Sequence, residues 1–233
     1  MSGMRGTGDN ARRWVVAGYR MAFGALTLAT FVYNIVVVRE RPQFNMVNML
    51  SYFTIESNLF AGGVFVAAAL LLGGGRVMDA FRGAATVYLV TTGVVYLTLL
   101  SGYEGIEALT PPLVNLVMHQ IMPVVLVVDW LLDPARARLS YRDCLWWLLF
   151  PIVYLGYTLL RGHATGWYPY PFLDPAHSGG YGAVAAACAA VAAFVVAVNL
   201  AVVWYSNRRQ PADDSDWERM SSDCSTESTA AGS

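Results

Sequence analysis

Residues 181–205 read YGAVAAACAAVAAFVVAVNLAVVWY, a run of twenty-five positions with no charged side chain. The hydrocarbon core of a bilayer is crossed by roughly 20 apolar residues in a helix, so this run is long enough to span. Five further blocks share its character: Trp14–Val38, Asn48–Leu72, Ala84–Leu100, Leu113–Leu132 and Cys144–Leu160. Backbone polar groups in lipid must be satisfied within the segment, which makes each span a helix. A transmembrane β-barrel would show alternating segments of about ten residues instead. The expectation is an all-α, polytopic membrane helical bundle of six transmembrane helices, forming one domain over residues 14–205. A cytoplasmic segment, 1–13, precedes it. The tail, 206–233, is rich in Ser, Thr, Asp and Glu and is expected to be disordered, since it cannot bury enough surface to offset its ordering entropy.

Composition agrees with this reading. The chain is 56% hydrophobic and only 13% charged, about half the charge fraction of a soluble domain. Every basic residue is arginine, and the net charge of -1 leaves no basic stripe for a nucleic acid. Arg12 and Arg13 before an apolar run resemble a signal peptide, but the run is longer than the 7–15 residues of a cleavable signal core. It is read as a retained first helix. Cys144, Cys188 and Cys224 are scattered and fit no zinc or disulfide spacing. His177 lies in a Pro-rich loop, and no HxxxH or HxxE pair occurs, so neither a metal nor any other cofactor is expected.

Orientation follows from the arginines. With the N-terminus inside, the cytoplasmic parts hold Arg5, Arg12, Arg13, Arg76, Arg82, Arg136, Arg138, Arg142, Arg208, Arg209 and Arg219. The outer loops hold only Arg39, Arg41 and Arg161, and Arg20 lies within the first helix. The protein is therefore expected in the cell membrane with both termini cytoplasmic, its surroundings the lipid bilayer.

Polar residues inside apolar helices are costly and mark function. Helix two opens with Ser51-Tyr52-Phe53-Thr54-Ile55-Glu56-Ser57-Asn58, and helix four carries Asn115 and His119. Thr54 and His119 each lie six residues into their segments, roughly 9 Å below the outer helix ends at about 1.5 Å per residue. Arg161 and His163 fall just above that level, so these residues could line one outward-facing pocket. Ser51, Thr54 and Asn58 share a face by i, i+3, i+7 spacing, as do Asn115 and His119 at i, i+4. Glu56 points elsewhere, towards a neighbouring helix or an arginine. A hydroxyl beside a neutral imidazole is the minimum for nucleophilic acyl transfer, with Thr54 attacking an ester and His119 as base. Asn58, Asn115, Arg161 and His163 are candidates for substrate-binding or oxyanion donors. Read blandly, Thr54 bonds its own backbone, His119 and Asn115 are packing partners, and Trp167–Phe172 is an interfacial aromatic anchor.

Phe53-Thr54 early in helix two, His119 within NLVMHQIMPVVLVVDW, and His163 followed by WYPYPFL (167–173) together resemble a known group. It is the androgen-induced gene and androgen-dependent TFPI-regulating protein family, with its bacterial relatives, and the likeness extends over about residues 14–205. The resemblance implies a six-helix membrane hydrolase acting on fatty acid esters of hydroxy fatty acids. Thr54 would be its nucleophile and His119 its partner, and the substrate partner would be a membrane lipid or fatty-acyl ester.

Two other classes compete. A transporter or channel would line a pathway with Glu56, His119 and Arg161, but transporters usually show internal repeats, and none is found in the chain. Towards the cytoplasm only Asn199 and Asp129 form a polar counterpart. A non-catalytic scaffold would signal through the acidic tail. Ala183–Ala193 is a small-residue surface that lets another helix approach closely, whether from this chain or a second copy.

Overall fold

The computed structural model describes residues 3–72, 75–102, 110–136 and 138–210. Among them no strand occurs, and six helices are long and apolar enough to cross a bilayer. They are α1 (Gly3–Val38), α2 (Phe53–Leu70), α3 (Arg76–Val95), α4 (Pro112–Leu132), α5 (Leu149–Thr165, whose span is completed by the 3-10 turn Leu145–Leu148) and α6 (Tyr181–Arg208). A π-helical turn, Tyr96–Leu100, extends α3, and another, Val117–Ile121, interrupts α4. Packing runs from α1 to α2 to α3, and α3 then touches both α4 and α6, so α3 lies at the centre. Phe65, Leu89, Met122, Leu126 and Val203 are fully buried between these helices.

The start of α1 and the end of α6 lie at one end of the bundle. Arg12 donates to the Leu132 carbonyl and to Asp133, and Gln210 donates to the Ala135 carbonyl. A buried ion network closes that end. Arg20 Nε meets Asp129 Oδ1 at 2.7 Å and its Nη2 meets Asp133 Oδ2 at 2.7 Å. Arg82 Nη2 meets Asp129 Oδ2 at 2.7 Å and its Nη1 meets Asp79 Oδ1 at 3.0 Å, while Asp79 Oδ2 accepts from the Arg136 N–H. Arg82 Nη2 also donates to the Asp133 carbonyl. Arg20 and Arg82 are each 1% exposed; charges so deep persist only when paired and hydrogen-bonded.

Several boundaries differ from the expectation, for physical reasons. Helix α3 starts eight residues before Ala84, because Asp79 and Arg82 neutralise one another inside the bundle. Arg82 is thus a buried helical residue, and the loop position assumed for it in the orientation argument is wrong. The block 48–72 is not one helix. A short helix, Met46–Leu50, stops at Ser51, and α2 starts afresh at Phe53. The Tyr154 hydroxyl fills the break, donating to the Ser51 carbonyl and accepting from the Phe53 N–H. Ser51 therefore does not continue a helical face with Thr54 and Asn58. Helix α1 begins at Gly3, within the segment 1–13, and α6 continues to Arg208. The rest of the expected tail, 211–233, lies outside the described residues.

Candidate active site

Thr54 is the second residue of α2, and Tyr52 before it makes no side-chain cap. The first N–H groups of a helix need partners from outside. Here two tyrosines supply them: Phe53 N–H donates to the Tyr154 hydroxyl at 3.2 Å, and Thr54 N–H to the Tyr170 hydroxyl at 3.3 Å. Thr54 thus sits in the positive first turn of an eighteen-residue helix.

His119 lies in the π-helical turn of α4. Pro123 follows four residues later and has no N–H to give the His119 carbonyl, which loosens the ladder at this point. The imidazole is stacked on Tyr96, ring centroids 4.2 Å apart, and Tyr96 itself belongs to the π-helical turn that ends α3. The two irregular turns therefore meet at this ring.

Thr54 Oγ1 and His119 Nε2 are 3.1 Å apart. On the other side of the ring, Nδ1 lies 3.3 Å from the Asn115 carbonyl oxygen. A carbonyl only accepts, so the proton sits on Nδ1 and leaves Nε2 free to accept from the threonine hydroxyl. Tyr170 Oη stands 3.4 Å from Thr54 Oγ1. Burial holds the Tyr170 hydroxyl above its ordinary range, so it remains a protonated donor. Thr54 and His119 are 7% exposed and Tyr170 6%, so each presents only a small edge to a cavity.

Tyr170 reaches Thr54 because the segment after α5 folds back over the bundle. Gly166 closes α5 in the left-handed conformation at φ +70. At Gly162 a Cβ would overlap the Tyr168 ring, so only glycine lets the segment lie this close. Tyr52 packs edge-on against both Trp167 and Tyr170. Arg161 stacks over Trp167 at 4.6 Å and donates to Asn48 Oδ1 at 2.6 Å, tying the segment to the short helix before α2.

Two cavities converge here. The first, about 370 Å³, is lined by Thr54, His119, Tyr170, Asn48, Gln43 and Arg41 among others. The second, about 200 Å³, shares Thr54, Leu100 and Tyr170 with it and runs between α5 and α6.

Of the expected site residues, Thr54 and His119 are brought together. Asn58 does not point into either cavity: its amide group donates to the carbonyls of Thr54 (2.8 Å) and Met118 (3.2 Å), joining α2 to α4 beneath the pair. Asn115 orients the imidazole through its carbonyl, and its side chain donates to the Tyr96 hydroxyl. Arg161 braces the covering segment and lines neither cavity; His163 is exposed and lines neither. Glu56 is half-buried and forms no ion pair among the described residues, so of the two directions expected for it the one towards an arginine is not seen. The residue that sequence reasoning missed is Tyr170. Its signal was the proline on either side, which stiffens WYPYPFL into a shaped cover as well as an aromatic anchor. No group of three metal-ligating side chains occurs among the described residues. The chain matches no family model, no curated protein and no solved structure in the comparisons made.

Proposed function

We propose that the protein is a membrane-embedded carboxylic ester hydrolase with Thr54 as nucleophile and His119 as general base, acting on fatty-acyl esters. Esters of hydroxy fatty acids belong to the class that the family resemblance suggests. The observation that carries this reading is the 3.1 Å contact between Thr54 Oγ1 and His119 Nε2 beside a cavity of about 370 Å³, with the other imidazole nitrogen tied to a carbonyl. With both termini cytoplasmic, as the arginine distribution argues, that cavity opens at the outer face of the cell membrane.

Thr54 Oγ1 bonds to the ester carbonyl carbon while its proton passes to His119 Nε2. The negative charge gathers on the former carbonyl oxygen, where the Tyr170 hydroxyl and the positive end of α2 stabilise it. Collapse breaks the bond to the alcohol oxygen, which takes the proton from His119. Water then attacks the acyl-threonine, His119 again accepting a proton and returning it to Thr54 as the fatty acid leaves. Asn58 keeps α2 and α4 in register during both halves.

A transport path is disfavoured by the far end of the bundle. The cavity beside Arg20 and Asp133 measures about 10 Å³, near the least that holds one water. The test is hydrolysis of an acyl-ester series, hydroxy-fatty-acid esters included, by purified wild type, Thr54→Ala and His119→Ala, each monodisperse in detergent. Turnover in the wild type, lost in both variants, supports the reading. Undiminished turnover in Thr54→Ala overturns it.

A further inference from the structure

The two cavities differ in which catalytic groups they reach. Thr54 and Tyr170 line both, whereas His119 lines only the larger one. A general acid must stand within reach of the oxygen that it protonates. The leaving alcohol therefore departs on the His119 side, and the acyl group, still attached to Thr54, extends the other way.

The smaller cavity suits an acyl chain. It is walled by Phe53, Leu155, Phe172, Val191 and Val195, and beyond Thr54 and Tyr170 its hydroxyl side chains are hydrogen-bonded elsewhere. Thr91 donates to the Val87 carbonyl, Thr92 is paired with Ser57, and Tyr154 donates to the Ser51 carbonyl. Away from Thr54 and Tyr170 its lining is almost wholly apolar. The larger cavity has a more polar lining, which includes Gln43, Asn45 and Asn48.

The smaller cavity also opens sideways. Ile152 on α5 and Val196 on α6 line it, yet are 64% and 42% exposed on the outer surface of the bundle. Helices α5 and α6 make few close backbone approaches to each other, because α6 packs instead along α3. Ala192, another lining residue, is exposed in the same gap.

Resting on the hydrolase reading, we propose that the cavity between α5 and α6 is a lateral acyl-binding site. It receives the fatty-acyl chain of the ester directly from the bilayer, while the alcohol half occupies the polar-lined cavity beside His119. Acyl length is then read by α5 and α6, and alcohol structure by the segment 41–48.

The test crosses two ester series, one varying acyl length from butyryl to palmitoyl and one varying the alcohol, against two surface variants. Ala192→Trp fills the lateral opening, and Gln43→Trp crowds the other cavity. Ala192→Trp is expected to lower turnover of palmitoyl esters about tenfold or more relative to butyryl esters, with the alcohol profile unchanged. Gln43→Trp is expected to shift the alcohol profile alone. As a control independent of folding, the purified protein in a Cys224→Ser background is alkylated at Cys188, which lines the lateral cavity; the same loss of long-chain turnover is expected. An altered alcohol profile in Ala192→Trp, or an unchanged acyl profile in both the variant and the alkylated protein, overturns the assignment. Wild type inactive on every ester overturns the hydrolase reading and this proposal with it, whereas an active wild type with these misplaced effects overturns the proposal alone.

Discussion

The two ends of this bundle treat polar groups in opposite ways. At the end that holds Arg12 and Gln210, Arg12, Arg20 and Arg82 face Asp79, Asp129 and Asp133, so these charges are paired and the neighbouring void is about 10 Å³. At the other end a hydroxyl, an imidazole and a phenol meet and border cavities of about 370 and 200 Å³, the larger of which Arg41 also lines. Asn58 Oδ1 and Asn115 Oδ1 are left there without a partner, although neither side chain lines a cavity. Paired charges close one end; at the other, Thr54, His119 and Tyr170 are polar groups that border empty space. The charged end fixes α1, α3 and α4, and the neutral end places Thr54 of α2 against His119 of α4.

If this division of labour holds, mutations at the two ends have different signatures. The largest effect is expected from Thr54→Ala and His119→Ala, which lose about 10²- to 10⁴-fold in turnover with the melting temperature kept within a few degrees; parallel kinetics and thermal unfolding check this. Next come Arg20→Ala and Arg82→Ala. Removing one partner of a buried ion pair leaves the other uncompensated, at about 3–5 kcal/mol, so both variants should elute as aggregates or unfold early on a detergent-exchange column. Should either remain as stable as wild type, the structural role of the charged end is wrong.

The fold was legible because its signal is local. The block 113–132 predicted α4 to within a residue, and the i, i+4 spacing of Asn115 and His119 already put both on one face. Thr54 and His119 were placed near one level by counting, although the helix around Thr54 begins later than the apolar block does. The ion network could not be read this way. Arg20 and Asp129 are 109 positions apart, and a charged residue near a span end is indistinguishable in sequence from a loop residue. Tyr170 was hidden for the same reason: it meets Thr54 across 116 positions through a loop whose path depends on Gly162 and Gly166.

Smaller effects sharpen the contrast. Tyr170→Phe removes the hydroxyl that faces Thr54 and is expected to lower kcat about 10²- to 10³-fold, with KM little changed. A rise in KM at constant kcat would make Tyr170 a binding residue instead. At the charged end, burial works against ionising Asp133, but Arg82, Arg20 and Arg12 outweigh it and hold its carboxyl below the ordinary 3.8. A depressed carboxyl contributes stability above its unfolded value and loses it as pH falls through its folded value. Asp133→Asn should therefore lower the melting temperature at neutral pH, and the gap to wild type should close on acidification below about 4, as thermal scans from pH 7 to pH 3 would record.

The central claim is that Thr54 is a nucleophile activated by His119, and covalent capture tests it most directly. A lipophilic fluorophosphonate, whose tetrahedral phosphorus takes the place of the attacked carbonyl carbon, is incubated with purified protein and the site is read by peptide mass spectrometry. The account predicts one phosphonyl group on the peptide bearing Thr54, absent in Thr54→Ala and sharply slowed in His119→Ala. Labelling at another residue that abolishes turnover, or full labelling in His119→Ala, would contradict it.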